Sequence, residues 1–138
     1  MKSAKSLYMF AFIPPLDLSV NFQIEKTEVF EKYKFTNALK PLPHITMYNP
    51  FLLAEERASS FERTIFQLQK WADKQASFQI DLNNFSFFEN PKSPVVFIAP
   101  INNHQLKTLY SSFIKELTKY IPAVGKPARY KPHVTIGS

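Results

Sequence analysis

The chain has 138 residues, a formal net charge of +6, 45% hydrophobic and 15% aromatic residues, and 14 phenylalanines. That is the length of one domain with ample apolar side chain for a packed core, which excludes a disordered chain. There is no cysteine, so disulfides, thiolate nucleophiles and cysteine-based zinc sites are excluded, and the positive excess suits an anionic partner such as RNA or a nucleotide.

Lys2 and Lys5 precede the apolar run Leu7–Ile13, an arrangement like the start of a secretory signal. The run is short, Pro14-Pro15 breaks it and no small-residue cleavage site follows, so it reads as a buried first strand. No stretch approaches the roughly 18 apolar residues of a membrane span. Next, Leu16, Leu18, Val20, Phe22 and Ile24 alternate like a strand, but Val29, Phe30 and Tyr33 with Glu/Lys filler favour a helix, expected over about residues 19–34. A polar loop then leads to a strand at residues 44–48. Glu55–Gln75 is a helix, with Ala58, Phe61, Ile65, Leu68 and Ala72 stepping along one face. Phe78, Ile80 and Leu82 alternate as a strand that Phe85–Phe88 continues or follows. Pro94–Ala99 is a strand of buried type. Asn102 or Asn103 caps a helix over about 103–121 with Leu106, Leu109, Phe113 and Leu117 inward. A Pro-rich basic loop, 122–132, precedes the last strand. With two glycines and eleven prolines, turns lean on Pro, Asn and Asp.

One tetrad, Pro-His-aliphatic-Thr, occurs twice: Pro43-His44-Ile45-Thr46 and Pro132-His133-Val134-Thr135. A chance double match is on the order of one in a million. Two of the three histidines stand in this setting; His104 lacks the threonine and reads as a surface residue. In a strand, His and Thr two apart share a face. Each tetrad therefore aims an imidazole and a hydroxyl at a common point, and two such pairs facing each other can hold a phosphate between a proton acceptor and a proton donor. The surroundings repeat as well. A strand before Pro14 is followed by a helix and by His44 thirty residues on, and a strand before Pro100 by a helix and by His133 thirty-three residues on. This strand–helix–strand unit, used twice, predicts two lobes related by a pseudo-twofold axis, each lending a His/Thr strand to a central cleft.

The motifs His44-Ile45-Thr46-Met47 and His133-Val134-Thr135-Ile136 resemble those of the two-histidine phosphoesterases, which include bacterial RNA 2′,5′-ligases and cyclic phosphodiesterases. Phe12-Ile13-Pro14-Pro15, Asn49-Pro50-Phe51 and the ending from Lys131 to Ile136 are similar to the family too, so the resemblance spans nearly the whole chain. It implies an α+β fold: two pseudo-symmetric lobes of antiparallel sheet with flanking helices, the His-x-Thr strands lining a central cleft. It also implies further strands after the second motif, so residues 1–138 are expected to be one two-lobed domain shortened at its C-terminus. Such a strand at the terminus frays unless neighbours hold it.

The expected activity is metal-independent opening of 2′,3′-cyclic phosphate ends of RNA or nucleotides. His44 and His133 are the acid/base pair, because imidazole exchanges protons near neutrality. The Thr46 and Thr135 hydroxyls donate to the phosphate oxygens. The two histidines and these donors handle protons and charge, so no metal and no cofactor is expected; a zinc site on the two histidines lacks a third ligand with their spacing. Lys40, Lys126, Arg129 and Lys131 flank the tetrads as a basic rim, and Tyr48 and Tyr130 are placed to stack a base. Phe85, Phe87, Phe88 and Trp71 read as core packing. The competing readings are a non-catalytic RNA- or nucleotide-binding module of the same fold, and an enzyme for 2′,5′-linked, ADP-ribose cyclic phosphate or RNA 3′-end substrates. A cytoplasmic monomer, off the membrane, is expected.

Overall fold

Strand β1, Lys5–Phe12, stops where Pro14 and Pro15 remove two backbone donors. The computed structural model describes residues 5–37, 39–89, 95–121 and 129–138, and helix α1 follows the prolines directly at Leu16–Tyr33. Pro15 O accepts the first helical N–H, from Ser19 at 2.9 Å, and Ser19 Oγ donates to Pro14 O at 3.1 Å. Asp17 adds negative charge to the first turn, where the helix dipole favours it. The helix thus begins before the expected position 19. The alternating residues that suggested a strand are partly an outward stripe: Leu16, Val20 and Ile24 are 82%, 50% and 53% exposed, and the buried positions are Phe22 and Lys26. The helix ends at Lys34, which turns left-handed (φ 61°) so that its N–H reaches Phe30 O at 2.7 Å.

The chain continues through β2 (Ile45–Ala54), a 3-10 turn (Glu55–Arg57), α2 (Ala58–Asp73), β3 (Leu82–Phe88), β4 (Val95–Pro100), α3 (His104–Leu117) and β5 (Val134–Gly137). In α2 the buried residues are Thr64 and Leu68, while Ile65, expected inside, is 41% exposed. Thr64 tolerates burial because its hydroxyl donates to Ser60 O at 3.1 Å. The strand expected from Phe78 begins only at Leu82. The short β4 offers partners from Leu82 onward, and Ile101 N–H to Asp81 O closes the ladder there. Pro94 and loop residues 122–128, with Lys126, lie outside the described residues, as does Lys2.

The fold is α+β, with a sheet of order β1-β2-β5-β4-β3 among the described residues. The pairs β2·β5, β5·β4 and β4·β3 are antiparallel. The repeat is visible in this order. The two tetrad strands, β2 and β5, are neighbours, and each has its own unit's first strand, β1 or β4, on its other side.

The chain forms two compact units. One comprises Met1–Phe10, Tyr48–Gln79 and His104–Tyr130. Its core holds Leu68, Leu106, Phe113, Ile114 and Leu117, beside an aromatic cluster of Tyr8, Phe10, Phe51 and Phe61. The other comprises Ala11–Met47, Ile80–Asn103 and Lys131–Ser138, with Phe22, Ile45, Met47, Phe97, Ile98, Val134 and Ile136 buried. Both tetrads belong to this second unit. Its last strand is gripped rather than frayed: β2 and β4 flank β5, α1 packs on it, and Asn37 N–H donates to Ser138 O at 3.2 Å. No helix of the described residues is long and apolar enough to cross a membrane.

Candidate active site

Both tetrads obey the period of a half-buried strand. Pro43, Ile45 and Met47 are buried while His44 and Thr46 are half-buried; Pro132, Val134 and Ile136 are buried while His133 and Thr135 are half-buried. The aliphatic residues anchor one face in the core, and the polar residues are left together on the other. Ile45 lies opposite Val134 in the antiparallel pair. The next residues along make His44 the cross-strand neighbour of Thr135, and Thr46 that of His133. The imidazoles therefore sit at diagonal corners of a four-residue patch, with Cα atoms about 8 Å apart from standard strand spacings. Side chains of that reach can meet on one phosphate.

The two rings are held alike. His44 Nδ1 lies 2.6 Å from Leu42 O, and His133 Nδ1 lies 2.7 Å from Lys131 O. A carbonyl only accepts, so Nδ1 carries the hydrogen in both. In the neutral ring the lone pair then sits on Nε2, which is thus the atom of each histidine that can take up or release a proton. In each case the carbonyl belongs to the residue before the tetrad's proline, where the backbone is confined to extended conformations. Sequence and hydrogen bond together set ring orientation and tautomer.

A family match covers residues 14–138, and it is to the 2′-5′ RNA ligase superfamily. The chain belongs to that superfamily. It is the superfamily of two-histidine phosphoesterases, so the resemblance carried by the tetrads holds at the level of family and fold. No curated protein matches the chain.

The surroundings of the two tetrads differ. His133 packs against Phe97 (centroids 5.1 Å apart) and edge-on against Phe88 (5.2 Å), which are themselves stacked at 4.3 Å. Lys131 Nζ lies 5.6 Å from the Phe88 ring centroid. Phe88 is therefore part of the motif's wall rather than plain core. Phe85 and Phe87, also expected inside, are 57% and 60% exposed, because they lie on the other face of β3 at the edge of the sheet. Trp71 packs on Phe113 at 5.7 Å in the other unit. Beside His44 the wall is backbone. Lys26 Nζ donates to Pro41 O at 2.6 Å and Gln23 Nε2 to Leu39 O at 3.3 Å, tying the approach to the tetrad onto α1. Lys26 is 2% exposed, and burial lowers its ammonium below the usual lysine range.

Of the expected rim, Lys40 and Lys131 belong to the unit that holds the tetrads and are exposed. Tyr48, Arg129 and Tyr130 belong to the other unit. There Tyr48 packs on Phe51 at 5.8 Å, and Tyr130 stacks on Tyr110 at 3.9 Å with planes 12° apart. One face of Tyr130 is thus already covered, and burial first, then the Tyr110 phenol, raises its own phenol well above the usual range. Among the described residues no three His, Asp or Glu side chains gather as a metal-binding group. Sequence reading missed Lys26, Gln23, Phe88 and Phe97. The signal that could have found Lys26 is its place four residues after Phe22, on the inward stripe of the helix, where an ordinary lysine would not lie.

Proposed function

We propose that this chain is a metal-independent phosphodiesterase that opens 2′,3′-cyclic phosphate ends of RNA or nucleotides. The observation that supports the reading best is the matched pair of imidazoles on neighbouring antiparallel strands, both holding the same tautomer through Nδ1. Membership of the 2′-5′ RNA ligase superfamily supports the substrate class. One neutral histidine takes a proton from water at Nε2 as the water oxygen bonds to phosphorus. The bond from phosphorus to one ribose oxygen breaks, and the other histidine, as imidazolium, protonates that leaving oxygen. In the family this leaves a 2′-phosphate, which makes O3′ the leaving atom. With a 5′-hydroxyl in place of water the same forward steps form a 2′,5′ linkage, and the reverse reaction, with the histidine roles exchanged, cleaves that linkage back to the cyclic phosphate. Thr46 and Thr135, each across from the other motif's histidine, donate to the non-bridging oxygens where negative charge is held.

The test is turnover of 2′,3′-cyclic nucleotides and cyclic-phosphate RNA ends after EDTA treatment, with product analysis for the 2′- or 3′-phosphate. His44→Ala and His133→Ala are each expected to lower kcat about 10²–10⁴-fold. The wild-type rate is expected to follow a bell-shaped pH profile, since one ring must be neutral and the other charged. Turnover indifferent to both substitutions defeats the reading, and salt-sensitive binding without turnover in the wild type favours the non-catalytic module.

A further inference from the structure

We propose that Lys26 is a positioning residue for His44: buried on α1, it grips the Pro41 carbonyl and so places the neighbouring Leu42 carbonyl that orients the imidazole. The inference rests on the proposed function for its kinetic part only; its structural part stands on geometry alone.

Three bonds form one chain. Gln23 Nε2 reaches Leu39 O at 3.3 Å, Lys26 Nζ reaches Pro41 O at 2.6 Å, and His44 Nδ1 reaches Leu42 O at 2.6 Å. Pro41 and Leu42 are consecutive, so one carbonyl faces the helix cation and the next faces the catalytic ring. The segment between is stiff. Pro41 and Pro43 have fixed φ, Leu42 precedes a proline, and Pro43 is buried. A displacement of the Pro41 peptide is therefore passed on to Leu42 O rather than absorbed by torsions.

Stability alone gives no reason for a cation here. Phe22 and Lys26 are the two buried positions of α1. A lysine at 2% exposure, given one carbonyl by the fold, loses hydration that a methionine of similar length never had. A purely structural role is better met by an apolar side chain. What an apolar side chain cannot do is hold the carbonyl before Leu42. His133 provides an internal reference, because its ring uses the same Nδ1 bond to Lys131 O, whereas the Lys26 hydrogen bond is to Pro41 O, beside the His44 partner.

The experiment compares wild type, Lys26→Met and Lys26→Leu in thermal melts, in nitrogen-15 spectra of both imidazoles, and in turnover of a 2′,3′-cyclic nucleotide. The variants are expected to fold and to melt at or above the wild-type temperature. His44 is expected to lose its Nδ1–H preference and become a tautomer mixture, while His133 keeps its own. The kcat is expected to fall on the order of 10- to 100-fold with KM little changed. A folded variant in which the His44 tautomer matches wild type overturns the proposal, and so does failure of both variants to fold, which makes Lys26 structural. If wild type shows no turnover, the proposed function fails while the spectra still decide the positioning role.

Discussion

A ring nitrogen is committed by what its partner can accept, and at both tetrads the partner is a carbonyl of the chain just upstream. This gives the two histidines the same tautomer despite different walls: backbone tied to α1 for His44, and the Phe88–Phe97 pair for His133. At the same scale, Tyr130 carries a testable pH signature. Burial raises its phenol in the folded state, so the unfolded chain gives up that proton first as pH rises. Its contribution to stability is fully present below the ordinary phenol value of about 10 and is lost as pH climbs above it toward the folded value. In denaturant melts at increasing pH, Tyr130→Phe is expected to fall off less steeply above that point than wild type. In an ultraviolet phenolate titration, the most delayed tyrosine should disappear with the substitution.

Between elements, the contact that decides most is α1 against β5. Gly137 lets them approach: a Cβ at that position would come within 2.6 Å of Val29 Cγ1 and 3.0 Å of Phe35 Cδ2. Its backbone is not left-handed, so space and not φ is what demands glycine. Gly137→Ala is therefore expected to destabilise by about 1–3 kcal/mol through overpacking. Combining it with Val29→Ala is expected to recover part of that loss, giving a favourable coupling between the two sites in denaturant unfolding. Additive effects would place the strain elsewhere. Because β5 carries Thr135 two residues before Gly137, the single substitution is also expected to lower turnover, whereas a clash confined to the terminus would leave it unchanged.

For the whole molecule, the excess of six positive charges bears on how a polyanion arrives. Lys40 and Lys131 are exposed in the unit that holds both histidines. An RNA bearing a cyclic end carries many phosphates and a cyclic mononucleotide one, so salt acts on them differently. KM for the RNA is expected to rise several-fold between about 50 and 200 mM salt, with a much smaller change for the mononucleotide. Parallel salt dependence for the two would mean that the basic residues lie off the path of the RNA.

The tetrads, their shared face, the strand–helix–strand repeat and, apart from their ends, the α-helices and strands of the described residues were readable from residue types and spacing. These depend on local geometry: two-residue alternation in strands, three-to-four-residue stepping in helices, and proline's missing donor. The errors fall where a distant segment chooses. Alternation from Leu16 to Ile24 put the expected start of the helix near residue 19, but Pro15 O starts it at Leu16. Phe85 and Phe87 looked like core, but β3 is a sheet edge. Lys26 looked like solvated filler, but α1 turns it inward onto Pro41. The pairing of Ile45 with Val134 has no local signature at all, since it joins residues 89 apart in the chain. Backbone geometry dictates which side chains share a face, and the chain carries that information in its own neighbours. What covers the face, and which strand lies beside it, is set by burial of apolar surface contributed from far along the chain, and that was settled only when the chain folded.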